Sequence, residues 1–417
     1  NPKLLIMALS KKLFEGKTLG ILTGGGDTPA LNASIEAIKS RASVLGYNVY
    51  GIRKGWKGLL GDGDIVDLSF QPYDGVYGGT ALRSSRTNPF GVKDNSRVEQ
   101  IMKNLKRYKI DVLVTIGGDD TNGAAKKLYE LEGVPVIGFP KTIDNDLKTK
   151  TIHNYNGKLI EAVVCPGFPS AAKGVAEFTS RLATTAESHS RIIVLEVMGR
   201  DAGWLTGSAM MGGAEISLIP EIPITKEKKV EFFEKVKEIY QKTKKHFLLI
   251  AVSEGVRWYQ EKTDKVDVVY ASSEVDEYGH PRFGGISGVI ASEVEKNTGI
   301  QARAQNIGYY ARSGDCRNYD KRFVGVLADK VVDLLLREDY GMMPVMSKLS
   351  TYQEIEEYHT STIDMGNIGN QPLPFNYYDK KEFHFNEIYM DFLSYFIEKP
   401  KAIRFDYNFP KVKPFLY

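Results

Sequence analysis

Cysteine is scarce: Cys165 and Cys316 are the two present, with no CxxC spacing. This sets aside a disulfide scaffold or a zinc ribbon and fits a reduced, cytoplasmic compartment. Long apolar runs are missing too. The most hydrophobic stretches, such as Phe247 to Val252, are strand-sized, well short of a membrane span. Asn1 to Thr18 carries charged and polar breaks and no signal-peptide core. An excess of one charge is absent: 55 Lys+Arg against 52 Asp+Glu leaves +3, which argues against a dedicated nucleic-acid binder. Neither an internal repeat nor a low-complexity tract occurs. With 42% hydrophobic and 26% charged residues, the chain is ordinary globular material rather than disordered. Its 417 residues are enough for two or three domains of roughly 150 residues each. What is abundant is glycine, 40 residues in an otherwise normal composition.

Short apolar runs alternate with helical patterns. Leu19 to Thr23 reads as a buried strand. Leu31, Ile35, Ile38, Ala42 and Leu45 then mark one helix face. Val49 to Ile52, Val112 to Ile116 and Val134 to Phe139 read as further strands, the last two separated by a helix through Ala125 and Leu128. This rhythm predicts an α/β fold with a mainly parallel sheet flanked by helices. It resumes at Ile192 to Val197 and Phe247 to Val252. Between them, Lys226 to Lys245 carries Val230, Phe233, Val236 and Tyr240 at helical spacing, its lysines forming a solvated face. Val324, Leu327, Val331 and Leu334 mark a late amphipathic helix. Beyond Gly341 the texture changes, with an Asn/Gly/Pro-rich stretch at Asn367 to Phe375 and an aromatic, basic tail. That tail reads either as an appendage packed on the core or as an interface arm.

Ligands of open α/β sheets bind where strand ends meet helix N-termini. Three loops at such positions have unusual chemistry. Gly24-Gly25-Gly26-Asp27 lets backbone approach a phosphate, although alone it reads equally as a tight turn. Gly117-Gly118-Asp119-Asp120 sets two carboxylates at a helix start, either as helix-end residues or as oxygen ligands for Mg²⁺ beside a phosphate. Lys141-Thr142-Ile143-Asp144-Asn145-Asp146 gathers an ammonium, a hydroxyl, an amide and two carboxylates in six positions. One such loop is unremarkable; three after strands of one sheet imply a shared site.

These loops, with Gly78-Gly79-Thr80 leading to Arg86, Met198-Gly199-Arg200, Ser253-Glu254-Gly255, Arg303 and Tyr309 to Arg312, resemble the phosphofructokinase family. The likeness runs from about Leu19 to Met343 and is strongest to the pyrophosphate-dependent branch. It implies two Rossmann-like lobes with a C-terminal appendage. Residues 1–168 and 313–345 would form the phosphoryl-donor lobe, 169–312 the sugar-phosphate lobe and 346–417 the extension. It also implies phosphoryl transfer from Mg-pyrophosphate to the 1-hydroxyl of fructose 6-phosphate, giving fructose 1,6-bisphosphate and phosphate reversibly. Asp144 would be the general base. Asp119 would hold Mg²⁺ with Asp146 assisting, and Gly25, Gly26, Arg86 and Lys141 would bind the donor. Thr142, Met198, Gly199, Arg200 and Glu254 would line the sugar site. Arg191, Arg303, Tyr309 and Arg312 would take the 6-phosphate, Arg191 and Arg303 reaching in from the neighbour in a homodimer or tetramer.

Two positions bear on the donor. ATP-using relatives typically have glycine where Asp120 and Lys141 stand. Asp120 would repel the α-phosphate of ATP, and Lys141 would add a cation beside the transferred group. Trp56 and Tyr309 replace a Tyr and a His common in ATP-using relatives, and Glu177 to Glu187 lacks the arginine that bacterial ATP enzymes use for effectors. Thr149 to Val164 looks longer than short ATP enzymes need, a candidate for reshaping the mouth of the site. Against an ATP-dependent enzyme stand Asp120 and Lys141; against a lipid or NAD kinase stands the run from Thr142 to Asp146. Against a non-catalytic subunit stand Asp119, Asp144 and Asp146, all retained.

Overall fold

The computed structural model describes residues 14–69, 75–148, 150–155, 158–242, 246–352, 355–369 and 371–398. The start of the chain and the basic tail after residue 398 therefore lie outside the described residues. The larger sheet has nine described strands. Across it run Ile65–Asp67, Asn48–Ile52, Thr18–Thr23, Val112–Gly117, Val136–Pro140, Met342–Tyr352, Lys150–Tyr155 and Lys158–Val163. Ile355–Asp364 pairs antiparallel with Met342–Tyr352. The central pairings are parallel, and the antiparallel ones fall at the margins, as the alternating pattern predicts. Within the segment at Thr149 to Val164, Lys150–Tyr155 pairs antiparallel with Lys158–Val163 and parallel with Met342–Tyr352.

The smaller sheet has the order Ala302–Asn306, Ile192–Val197, Leu248–Ser253, Ile216–Leu218, all parallel. The helix Phe168–Ser188 runs between the two sheets, and its residues Phe168, Ala172, Val175 and Ala176 are fully buried. Its start is secured by Asp320, a buried carboxylate on the helix Asn318–Arg337. Asp320 accepts from the Gly167 N–H at 2.7 Å and the Ser170 N–H at 2.8 Å. Among the described residues no helix is long and apolar enough to cross a membrane.

The helix Leu31–Val44 buries Leu31, Ile35, Ile38 and Ala42, the face its spacing indicates. The helix Lys226–Lys242 departs from expectation by one position. Val230 is 57% exposed, whereas Phe232 is fully buried and Lys229 only 5% exposed. Lys229 pairs with Glu293 at 2.5 Å and donates to the Tyr259 carbonyl, so one lysine of this helix belongs to the core rather than to the solvated face. Periodicity counts apolar residues and cannot see an ammonium that finds partners on another element.

The described part of the C-terminal segment is packed, not an arm. Tyr377, Phe385, Tyr389, Phe392 and Phe396 are buried in the main core against Trp204 and Phe168. The Tyr389 hydroxyl donates to the Trp204 carbonyl, and the Tyr378 hydroxyl to the Ser217 carbonyl at 2.6 Å. Replacing Asp320 by alanine strands two buried N–H donors at the start of the long central helix. Unfolding free energy should fall by roughly 2–4 kcal/mol. Urea denaturation of both proteins measures this, and a loss under about 1 kcal/mol contradicts the assignment.

Candidate active site

The three loops meet at the carboxyl ends of their strands. The first is pulled tight across the second. The Gly24 N–H donates to the Ile116 carbonyl at 3.0 Å, and a Cβ on Gly24 would lie 2.3 Å from the Thr121 hydroxyl oxygen. Gly25 adopts φ +76°, and its carbonyl accepts from the Ser84 hydroxyl at 2.5 Å. The second loop is pinned by Asn122, which donates to the Gly117 carbonyl and accepts from Thr115, both at 2.8 Å. Gly118 precedes the helix Asp119–Glu132 and no side chain caps it, so Asp119 and Asp120 stand in the first turn with their carboxylates toward the cleft. Asp120 meets His280 Nε2 at 2.9 Å.

In the third loop the Thr142 hydroxyl accepts from the Asp144 N–H at 3.0 Å and donates to Asp146 at 3.3 Å. Asn145 takes φ +58°, and its side chain accepts from the Cys165 N–H at 2.9 Å, which turns Asp144 and Asp146 to the same side. The Gln371 N–H donates to the Asp146 carbonyl, so the packed C-terminal segment backs this loop. Lys141, 4% exposed, reaches across to donate to the Gly26 carbonyl.

From the smaller sheet come Met198, Gly199 and Arg200, at the end of Ile192–Val197. Gly199 and Arg200 have φ +143° and +39°. The next strand ends at Ser253, and Glu254 follows it, its N–H donating to the Val197 carbonyl. Gly255 is required here: a Cβ would overlap the Arg200 carbonyl at 1.6 Å. Arg312 lies against Gly26 and over the Tyr309 ring at 5.6 Å. The result is an inner cavity of about 120 Å³ between the three loops, opening onto a cleft of about 850 Å³. Met198, Glu254, Arg282, Tyr309 and Arg312 face that outer cleft.

The electrostatics follow from crowding. Withdrawal from water raises the Asp144 pKa, against the pull of Arg312, Arg200 and Lys141. Asp146 is raised by burial, then by Asp144 and Asp119. Asp120 is raised by burial and by Asp119. Burial and the Asp144 charge push Glu254 up to about 7. Burial and Arg312 bring Lys141 down to about 8. Among the described residues no three His, Cys, Asp or Glu side chains form a metal cluster. Mg²⁺ does not need one, because it keeps waters and phosphate oxygens and takes one or two carboxylates. The mutual repulsion of Asp119, Asp144 and Asp146 is what a divalent cation at Asp119 and Asp146 would relieve.

Of the residues singled out in the sequence, Gly25, Gly26, Arg86, Asp119, Asp120, Lys141, Thr142, Asp144 and Asp146 line the inner cavity or its rim. Met198, Arg200, Glu254, Tyr309 and Arg312 line the outer cleft, and Gly199 shapes its edge through backbone. Arg191 and Arg303 are outside it. Arg303 sits on the edge strand Ala302–Asn306, 3.6 Å from Glu295, and buried Arg191 Nε lacks a hydrogen-bond partner. Sequence reasoning missed Tyr278, His280 and Arg282, on a hairpin that the βαβ rhythm does not mark.

The profile of the family described as Phosphofructokinase matches residues 18–335. A pyrophosphate–fructose 6-phosphate 1-phosphotransferase of Dictyoglomus thermophilum is 38% identical over 331 residues, covering 78% of this chain and 88% of the relative. An ATP-dependent 6-phosphofructokinase 2 of Clostridium perfringens is 37% identical over 370 residues, covering 84% and 94%. Among solved structures, a pyrophosphate-dependent phosphofructokinase from Marinobacter aquaeolei superposes with TM-score 0.74 at 22% identity over 95% of each chain, a likeness of fold.

Because the Lys141 pKa lies near 8, its charge is present below that pH and is lost as pH rises through it. Sulfate, whose charge is constant over this range, should bind about tenfold more weakly at pH 9 than at pH 7. Lys141→Met should bind weakly and with a smaller slope, the remainder coming from carboxyls such as Glu254 that ionise further over the same range. Calorimetric titration at the two pH values decides this, and a wild-type affinity that does not change with pH counts against the assignment.

Proposed function

The chain belongs to the phosphofructokinase family, and from that premise we propose that it transfers a phosphoryl group from Mg-pyrophosphate to the 1-hydroxyl of fructose 6-phosphate. The products are fructose 1,6-bisphosphate and phosphate, and the reaction runs in both directions. The observation that carries the choice of donor is the pairing of Asp120 and buried Lys141 on one small cavity. Asp120 meets any third phosphate with like charge, whereas Lys141 offers a cation where the transferred group gathers charge. Five relatives at 36–38% identity are named as pyrophosphate enzymes, which supports this choice. The ATP-dependent relative in C. perfringens keeps the ATP reading as the alternative.

In this reading Asp144 takes the proton of the attacking hydroxyl. Its raised proton affinity suits that task, because a base must hold the proton it removes. Thr142 orients Asp144 through the N–H it accepts and also meets the sugar. Arg86, Lys141 and the Gly25–Gly26 backbone hold the donor. Met198, Gly199, Arg200 and Glu254 surround the sugar, and Tyr309 and Arg312 meet its 6-phosphate. Mg²⁺, when bound through Asp119 with Asp146, supplies charge neutralisation at the donor oxygens.

Residues 1–168 with 313–345 serve as the donor lobe, and 169–312 as the sugar lobe. The exposed position of Arg303 and its absence from the lining of its own cleft support a homodimer, or a tetramer of four chains, in which Arg191 and Arg303 complete the neighbour's phosphate site. Two buried free cysteines fit a reducing cytoplasmic setting.

With fructose 6-phosphate and Mg²⁺, pyrophosphate should support turnover and equimolar ATP little. A coupled spectrophotometric assay decides between them, and preference for ATP refutes the donor assignment. In the same assay Asp144→Asn should lower kcat by roughly 10² or more with little change in KM, in both directions. A loss below tenfold removes Asp144 from proton transfer.

A further inference from the structure

The hairpin formed by Tyr270–Val275 and Pro281–Phe283 belongs to the sugar side of the chain, yet its turn lies against the donor side. Asp276 shapes that turn: one of its carboxylate oxygens accepts from the N–H groups of Tyr278 and His280, both at 3.0 Å. Its other oxygen receives Arg86. Glu277 accepts from the Asn88 N–H at 3.1 Å and from Arg97 at 2.5 Å. The Tyr278 hydroxyl donates to the Thr87 carbonyl at 3.1 Å. His280 meets Asp120 at 2.9 Å, with its ring nearly parallel to that of Tyr278. Each of these bridging contacts joins residues at least 160 apart in sequence. Together they lay Tyr278 and His280 over the inner cavity, beside Asp119, Asp120 and Lys141.

We propose that this turn is the far wall of the donor site and that His280 is a specificity-determining residue, closing the cavity to any donor longer than two phosphates. The inference rests on the pyrophosphate reading and adds a second device to it. Asp120 acts by charge, and its hydrogen bond to His280 softens that charge. His280 acts by occupancy, because a third phosphate continuing past Asp120 enters the space of the imidazole. Removing Asp120 alone leaves the wall standing. Of the ion pairs that hold the wall, Arg97–Glu277 lies outside the cavity and is partly exposed, hence weak by itself, so the wall can be loosened there without altering what lines the site. Glu277 is the handle: it faces Arg97 and Asn88 and does not line the cavity.

The test compares pyrophosphate, tripolyphosphate and ATP as donors for wild type, Asp120→Gly, Asp120→Gly/His280→Ala and Asp120→Gly/Glu277→Lys. Tripolyphosphate carries the third phosphate without a nucleoside and so isolates the wall from adenosine contacts. Wild type is measured first. If it prefers ATP, the donor reading itself falls and the wall with it. If it uses pyrophosphate, the double variants should raise kcat/KM for tripolyphosphate at least fivefold above Asp120→Gly alone. The Glu277→Lys combination covers the case in which loss of the imidazole disturbs the loop. A gain below fivefold in both doubles overturns the wall while leaving the pyrophosphate assignment intact.

Discussion

Asp144 must hold a carboxylate at the floor of a cleft, withdrawn from water, beside Asp146 and within reach of Asp119. Taking an ionised carboxylate out of water costs several kcal/mol unless partners offset it. Here the offset comes from Arg312, Arg200 and Lys141, which arrive from three different segments of the chain. Lys141 comes from the loop that carries Asp144, but Arg200 and Arg312 cannot be supplied locally. The two sheets therefore have to be held in a fixed relation, since one brings Lys141 and the other Arg200. Burial in turn lowers the proton affinity of Lys141, so the charges that balance Asp144 are themselves poised rather than fixed.

Two further buried carboxylates hold that relation. Asp320 ties the helix Asn318–Arg337 to the start of Phe168–Ser188, the helix between the sheets. Glu196, at the end of the strand leading to Met198, accepts from the Gly285 and Ser287 N–H groups at 3.0–3.1 Å, from the Ser287 hydroxyl at 2.9 Å and from Asn306 at 3.0 Å. With that many donors its charge is solvated by protein instead of water. The same contacts anchor the base of the hairpin that ends at Phe283. Both residues are structural, yet each sets the position of an element that reaches the cleft.

The strands, the two glycine loops and the residues from Thr142 to Asp146 were legible because their chemistry is compressed into a few neighbouring positions. Leu31, Ile35, Ile38 and Ala42 show the same locality, since a helix face is written at fixed spacing. What was not legible is non-local. Lys229 reads as a surface lysine until Glu293 and the Tyr259 carbonyl are seen beside it. The aromatic residues from Tyr377 to Phe396 have little periodicity because they wrap an existing surface around Trp204 rather than forming one regular face. His280 carries no motif, and its meaning comes from Asp120, 160 positions earlier.

That last pair bears on how donor choice is encoded. A carboxylate alone is a poor barrier to a polyphosphate, because Mg²⁺ and nearby cations screen it and its own proton affinity rises on burial. Shape is not screened by ions. Holding an imidazole against Asp120 trades part of the repulsion for a fixed obstacle, and it obliges the hairpin to span the cleft in order to deliver it. Arg86 binds both the hairpin, through Asp276, and, in the proposed reaction, the donor. On that proposal the same guanidinium would link closure of the wall to occupancy of the site, the charge offered to the donor also securing the turn that limits the donor's length.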